Sequence, residues 1–161
     1  MNHITSVRRG TAVLGWTVVG FLAMHAASAD AQAGPLLHGR VAVSSRGLGI
    51  HGAIFYKAIP MSDLRVAEAR IVDLDQEPGL RPMVKIVYAF DLPWVYHSGW
   101  FLLWDHQKAV VVFHARSNLA VYIPTTRGYA VLVGPDDPSG FLDALRQPTD
   151  VEQVFSIGRS R

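Results

Sequence analysis

The chain contains no cysteine, so no disulfide can brace it in an oxidising compartment and no thiolate is available as a nucleophile or metal ligand. Charge is sparse as well, with Asp, Glu, Lys and Arg making up 17% of the 161 residues. Beyond the pair Arg8-Arg9 there is no run of Lys or Arg, which excludes the dense phosphate neutralisation that DNA or RNA binding requires. Ser98 and Ser139 lack the G-x-S-x-G surroundings of an elbow nucleophile. No other catalytic constellation emerges, so neither an enzyme activity nor a cofactor is expected.

What the chain does have begins with an export signature. Residues 1–33 place His3, Arg8 and Arg9 ahead of an apolar run over 12–27, followed by small residues at Ala27-Ser28-Ala29 and Ala31-Gln32-Ala33, two sites that fit the A-x-A cleavage rule. The alternative is an uncleaved anchor, because residues 11–29 approach the roughly 17 to 20 apolar residues that cross a bilayer. His25 and the small residues weaken that reading, and no stop-transfer charges follow. The expectation is an exported protein, periplasmic or secreted, with inner-membrane anchoring as the alternative. Cutting after Ala33 removes Arg8 and Arg9 from 15 basic residues and Asp30 from 13 acidic ones, leaving a nearly neutral 13 against 12. About 130 residues then remain, enough for one hydrophobic core without cross-links and too few for two ordinary domains.

From Gly39 onward, short apolar runs alternate with turn residues, the spacing of an all-β sandwich or barrel. Residues 40–44 and 48–51 flank Ser45-Arg46-Gly47 as a hairpin. Residues 53–59 read as a strand that ends at Pro60, 65–74 as mostly strand, and 83–90 as one alternating strand. Residues 99–104 and 109–115 pair across the polar loop Asp105-His106-Gln107-Lys108, and 119–124 and 129–133 form the last hairpin around Thr125-Thr126-Arg127-Gly128. Asp137 then caps a helix with Pro138 at its first position and Phe141, Leu142 and Leu145 on one face. Pro148 stops it. The expected organisation is a signal over 1–33, a β domain over 34–147 and a frayed tail over 148–161.

Several pieces of residues 48–146 carry a family texture. They are Ile54-Phe55-Tyr56 with Ile59-Pro60, Ala69-Arg70-Ile71-Val72-Asp73-Leu74, Ser98-Gly99-Trp100-Phe101-Leu102 with Lys108-Ala109, and Tyr122-Ile123-Pro124-Thr125. Gly128-Tyr129 and Asp136-Asp137-Pro138 before Phe141 and Leu145 complete them. In these the chain resembles the bacterial pleckstrin-homology (PH) domain family. The resemblance implies a PH-like, seven-stranded antiparallel barrel or sandwich capped by a C-terminal α-helix, often associated with membrane proteins and with an undefined ligand. Relatives that bind phosphoinositides place several Lys and Arg in the first hairpin; here only Lys57 and Arg46 lie near that region, so no phosphoinositide recognition is expected.

Three groups of residues invite a functional reading. Gly47-Leu48-Gly49-Ile50-His51-Gly52 is formally G-x-G-x-x-G with Asp73 about 20 residues on, but the segment that follows is strand-like, so it opens no helix to hold a pyrophosphate. His97, His106 and His114, with Asp91 and Asp105, are the richest set of metal-ligand types, although their spacing matches no metal motif; a metal-dependent enzyme using the three histidines is the less favoured alternative. Trp94, Tyr96, Trp100 and Trp104 concentrate aromatic surface in one stretch. Trp100 and Trp104 alternate in phase with Leu102, which marks at least one of them as core. Trp94 and Tyr96, with His97 beside them, fall in a loop-like segment and are the candidate partner-binding residues. The functional expectation is a non-enzymatic binding or scaffolding module for a protein, a peptide or a membrane surface; an exposed edge strand could also take a peptide or a second copy.

Overall fold

A computed structural model describes residues 39–92 and 95–158. The expected signal or anchor over 1–33 lies outside the described residues. Among those described, eleven strands and one α-helix form. In chain order they are β1 (Gly39–Ser44), β2 (Gly47–His51), β3 (Tyr56–Pro60), β4 (Arg70–Asp73), β5 (Pro82–Lys85), β6 (Phe90–Leu92), β7 (Tyr96–Leu103), β8 (Lys108–His114), β9 (Leu119–Pro124), β10 (Ala130–Val133), α1 (Pro138–Arg146) and β11 (Gln153–Ile157). Among the described residues the fold is all-β with a single α-helix near the C-terminus.

The strands make two sheets. The smaller runs β11-β1-β2-β3, and the larger runs β4-β9-β10-β8-β7-β5 with β6 also paired to β7. Every pairing is antiparallel except β8 with β10, which run parallel with Val110 opposite Val131. β10 inserts between β8 and β9, so the chain crosses over a vacant position and returns to fill it. The residues explain why these two strands tolerate the centre of the sheet. β8 contributes Ala109-Val110-Val111-Val112-Phe113 and β10 Ala130-Val131-Leu132-Val133, with no polar alternation, and all nine are buried. Such uninterrupted apolar strands belong where both faces of a sheet are covered. On one face Val110, Val112, Val131 and Val133 pack with Val41, Ile50 and Phe141; on the other Val111, Phe113 and Leu132 pack with Leu74, Leu80 and Phe101.

α1 spans the two sheets, touching β1 of the smaller and β4 and β9 of the larger. Its start is set locally: the Asp137 carboxylate accepts a hydrogen bond from the Gly140 N–H at 2.9 Å, and Pro138 occupies the first turn, where a missing N–H leaves nothing unpaired. Phe141, Leu142, Ala144 and Leu145 are buried beneath it, and Arg146 Nη2 donates to the Ala69 carbonyl at 3.1 Å.

Four expectations are corrected. The strands number eleven rather than seven among the described residues, and one pairing is parallel. The expected tail over 148–161 contains β11, which pairs along β1 from Val43–Gln153 to Gly39–Ile157 and buries Ile157; the domain therefore runs past residue 147. Within 65–74 only Arg70–Asp73 is strand, after a 3-10 turn over Val66–Glu68. The single strand expected over 83–90 is broken into β5 and β6. No helix among the described residues is long and apolar enough to cross a membrane.

Candidate functional site

The break between β5 and β6 shapes an irregular, apolar edge of the larger sheet. Both strands pair with the same edge of β7: Val84 opposite Leu102 and Lys85 opposite Phe101, then Phe90 opposite Ser98 and Asp91 opposite His97. Four residues, Ile86 to Ala89, thus stand opposite only Gly99 and Trp100. The surplus chain bulges outward, as an insertion in one strand of a pair must. Ile86 N–H still reaches the Trp100 carbonyl at 2.9 Å, and Tyr88 takes a left-handed conformation with φ 47°. Gly99 closes the bulge. Its φ is +121°, and a Cβ there would sit 2.2 Å from the Tyr88 carbonyl oxygen, so only glycine lets the two backbones approach this closely.

The consequence is a projecting apolar segment. Val84 (51%), Ile86 (46%), Val87 (48%) and Tyr88 (75%) are all exposed. In a half-buried strand every second side chain turns inward; here consecutive ones face water. Trp104, 60% exposed, is in the turn that follows β7, where its N–H donates to the carbonyl of Arg81 just ahead of β5 at 3.1 Å. Leu92 continues the exposed surface on β6. Charge around the projection is locally balanced, with Lys85 Nζ 3.9 Å from an Asp91 oxygen.

The residues singled out from sequence distribute unevenly around this edge. Trp94 lies outside the described residues. Tyr96 is corrected: it is the first residue of β7, fully buried, with its ring 5.5 Å from His114 and 6.4 Å from Phe90. Burial pushes its phenol pKa up to about 12, against smaller opposing pulls from the Ser98 hydroxyl and the Ala53 backbone. Neither the Tyr96 nor the Ser98 hydroxyl makes a well-aligned hydrogen bond. Such a ring fills the core and presents nothing to a partner.

His97 points to the opposite face, between Phe101 (5.8 Å, edge-on) and Phe113 (5.1 Å). Its Nδ1 is 2.8 Å from Asp91 Oδ1, but the alignment is too poor for a proper hydrogen bond. Desolvation lowers the imidazole pKa and outweighs the raising effect of Asp91, so the contact is between a carboxylate and a neutral ring rather than a salt bridge. His106 occupies an exposed turn with φ 65°. His114 pairs opposite Tyr96 while His97 pairs opposite Phe113, which puts the two histidines on opposite faces of the sheet. The three do not converge, and among the described residues no three of His, Cys, Asp or Glu gather closely enough to hold a metal.

A polar groove of about 460 Å³ lies elsewhere, lined by Arg65, Arg70, Gln107, Tyr122 and Tyr129 among others. Its cations are already engaged: Arg65 pairs with Glu68 at 2.6 Å, and Arg70 grips both Glu77 oxygens while its guanidinium lies 5.4 Å from the Tyr122 ring centroid. Gly47 to Gly52 form β2 and the turn after it, with no helix following. The feature that sequence reasoning missed is the projection itself. Its signal was present: in 83–90 (MVKIVYAF) the second face, Met83, Val87 and Ala89, is apolar except for Lys85, so neither face was made for water. Set beside known proteins, the chain matches no family model, no curated protein and no solved structure.

Proposed function

We propose that this is a non-enzymatic binding module, exported across the inner membrane, whose contact surface is the projection at residues 84–88, with Leu92 exposed further along the same edge. The observation that carries the reading is the cluster of exposed apolar side chains at 84, 86, 87 and 88 on a bulged edge. A soluble surface seldom keeps a contiguous patch of this kind without a use for it. Retention of residues 11–29 as an anchor would make the same module a membrane-held accessory protein; the contact surface is common to both forms. The PH-like assignment belongs to this reading too. In its favour stand the hairpins of the larger sheet and the capped helix laid across both sheets, and it must accommodate the parallel β8–β10 pairing and the strand that follows the helix.

Absence of cysteine makes the test clean, since Val87→Cys supplies a unique thiol. Its reaction with a water-soluble maleimide should be fast in the purified protein and about tenfold slower in intact exporting cells, equivalent to ~1.4 kcal/mol of cover. Arg46→Cys, in the exposed β1–β2 turn of the smaller sheet, should react alike in both. Equal reactivity of the thiol at position 87 in the two settings would remove the reading.

A further inference from the structure

We infer that the occupant of the β5–β6 projection is the interface of a lipid bilayer, an inference that rests on the binding-module reading above. Three observations favour lipid over a peptide strand or a second copy. The edge is poorly built for strand addition, because the bulge over residues 86–89 and the register shift between Pro82 and Val84 break the even ladder that an added strand needs. Its apolar side chains at 84, 86, 87 and 88 are all exposed from one narrow segment, a shape that a fluid apolar phase can surround. Tyr88 is exposed next to the aliphatic residues Ile86 and Val87, and Trp104 is exposed where the chain enters the same edge at Arg81; both are rings with a polar end and an apolar body, the type that settles at headgroup level.

Placement of the apolar sequence agrees. Residue 29, the end of the apolar stretch, lies only ten residues before Gly39 in sequence. Electrostatics contribute little, because Lys85 is offset by Asp91, and attraction to anionic headgroups requires several unpaired cations. Insertion is therefore driven by the apolar side chains and is insensitive to salt.

The test attaches an environment-sensitive NBD group to Val87→Cys in the full chain as the cell delivers it, and mixes the protein with vesicles of zwitterionic phospholipid. The expected result is a blue shift and gain of NBD emission, quenched by lipid-borne nitroxide groups placed near the headgroup and unchanged by added salt. The same label on Arg46→Cys stays aqueous and unquenched, which separates insertion of this edge from attachment through another part of the chain. An aqueous label at position 87 in the presence of vesicles overturns the inference. So does a blue shift without lipid that grows with protein concentration, which would assign the surface to a second copy. Either result leaves the binding-module reading standing if the Val87→Cys thiol is still protected in cells; loss of that protection overturns both.

Discussion

Gly99→Ala should destabilise the domain by on the order of 3 kcal/mol and displace the bulge that Gly99 closes. Two costs combine. A non-glycine residue held at positive φ loses roughly 1–2 kcal/mol, and here φ is +121°. The new Cβ would also stand 2.2 Å from the Tyr88 oxygen and 2.5 Å from the Ala89 Cα, both backbone atoms that no rotamer change can move aside. Relief requires the β5–β6 edge to peel from β7, breaking the Ile86 to Trp100 hydrogen bond. Denaturant unfolding with unchanged slope reads the stability loss, and amide exchange at Ile86 reads the peeling. A loss below about 0.5 kcal/mol, the range of ordinary surface substitutions, would mean that the two backbones do not meet as described.

Phe141→Ala should cost about 3–5 kcal/mol, the usual penalty for emptying a phenylalanine site in a packed core. Phe141 is fully buried and meets the Phe155 ring edge-on at 5.4 Å. It therefore joins α1, the strand that follows it and the valines of both sheets in one cluster. Against a total stability of roughly 5–15 kcal/mol for an ordinary domain, the variant would sit near the threshold of folding. One cooperative transition should persist, shifted to lower denaturant. A loss under about 1 kcal/mol would show that the helix only rests on the surface.

Local chemistry made part of this architecture legible in the amino acids. Asp137, Pro138 and the spacing of Phe141, Leu142 and Leu145 specify α1 within ten residues, and the hairpins β7–β8 and β9–β10 announce themselves through polar turns between apolar runs. What escaped depends on partners far along the chain. β11 looked frayed because its partner, β1, lies more than 100 residues earlier. The parallel seat of β10 could not be read because Ala130-Val131-Leu132-Val133 states only that both faces are covered, not by which neighbours. Tyr96 was misplaced for a different reason. The phase that marks Trp100 as inward in β7 also passes through Ser98 and Tyr96, and the strand begins two residues after Trp94, so the tyrosine joins the core rather than the loop. In 83–90 the alternation of Val84, Ile86, Tyr88 and Phe90 suggested one regular strand, whereas the two surplus residues opposite Gly99 and Trp100 turn it into an exposed bulge.

The account stands or falls on whether residues 84–88 serve contact rather than folding. A photoreactive residue at Leu92 reports contact in living cells, and the decisive comparison is its cross-linking yield with and without the pair Val87→Asp and Tyr88→Asp, in proteins whose thermal melts are recorded together. The account predicts melts that differ by no more than about 0.5 kcal/mol in stability and adducts that fall at least tenfold, equivalent to ~1.4 kcal/mol of lost contact energy. An unchanged yield, or a variant that no longer folds, would contradict it.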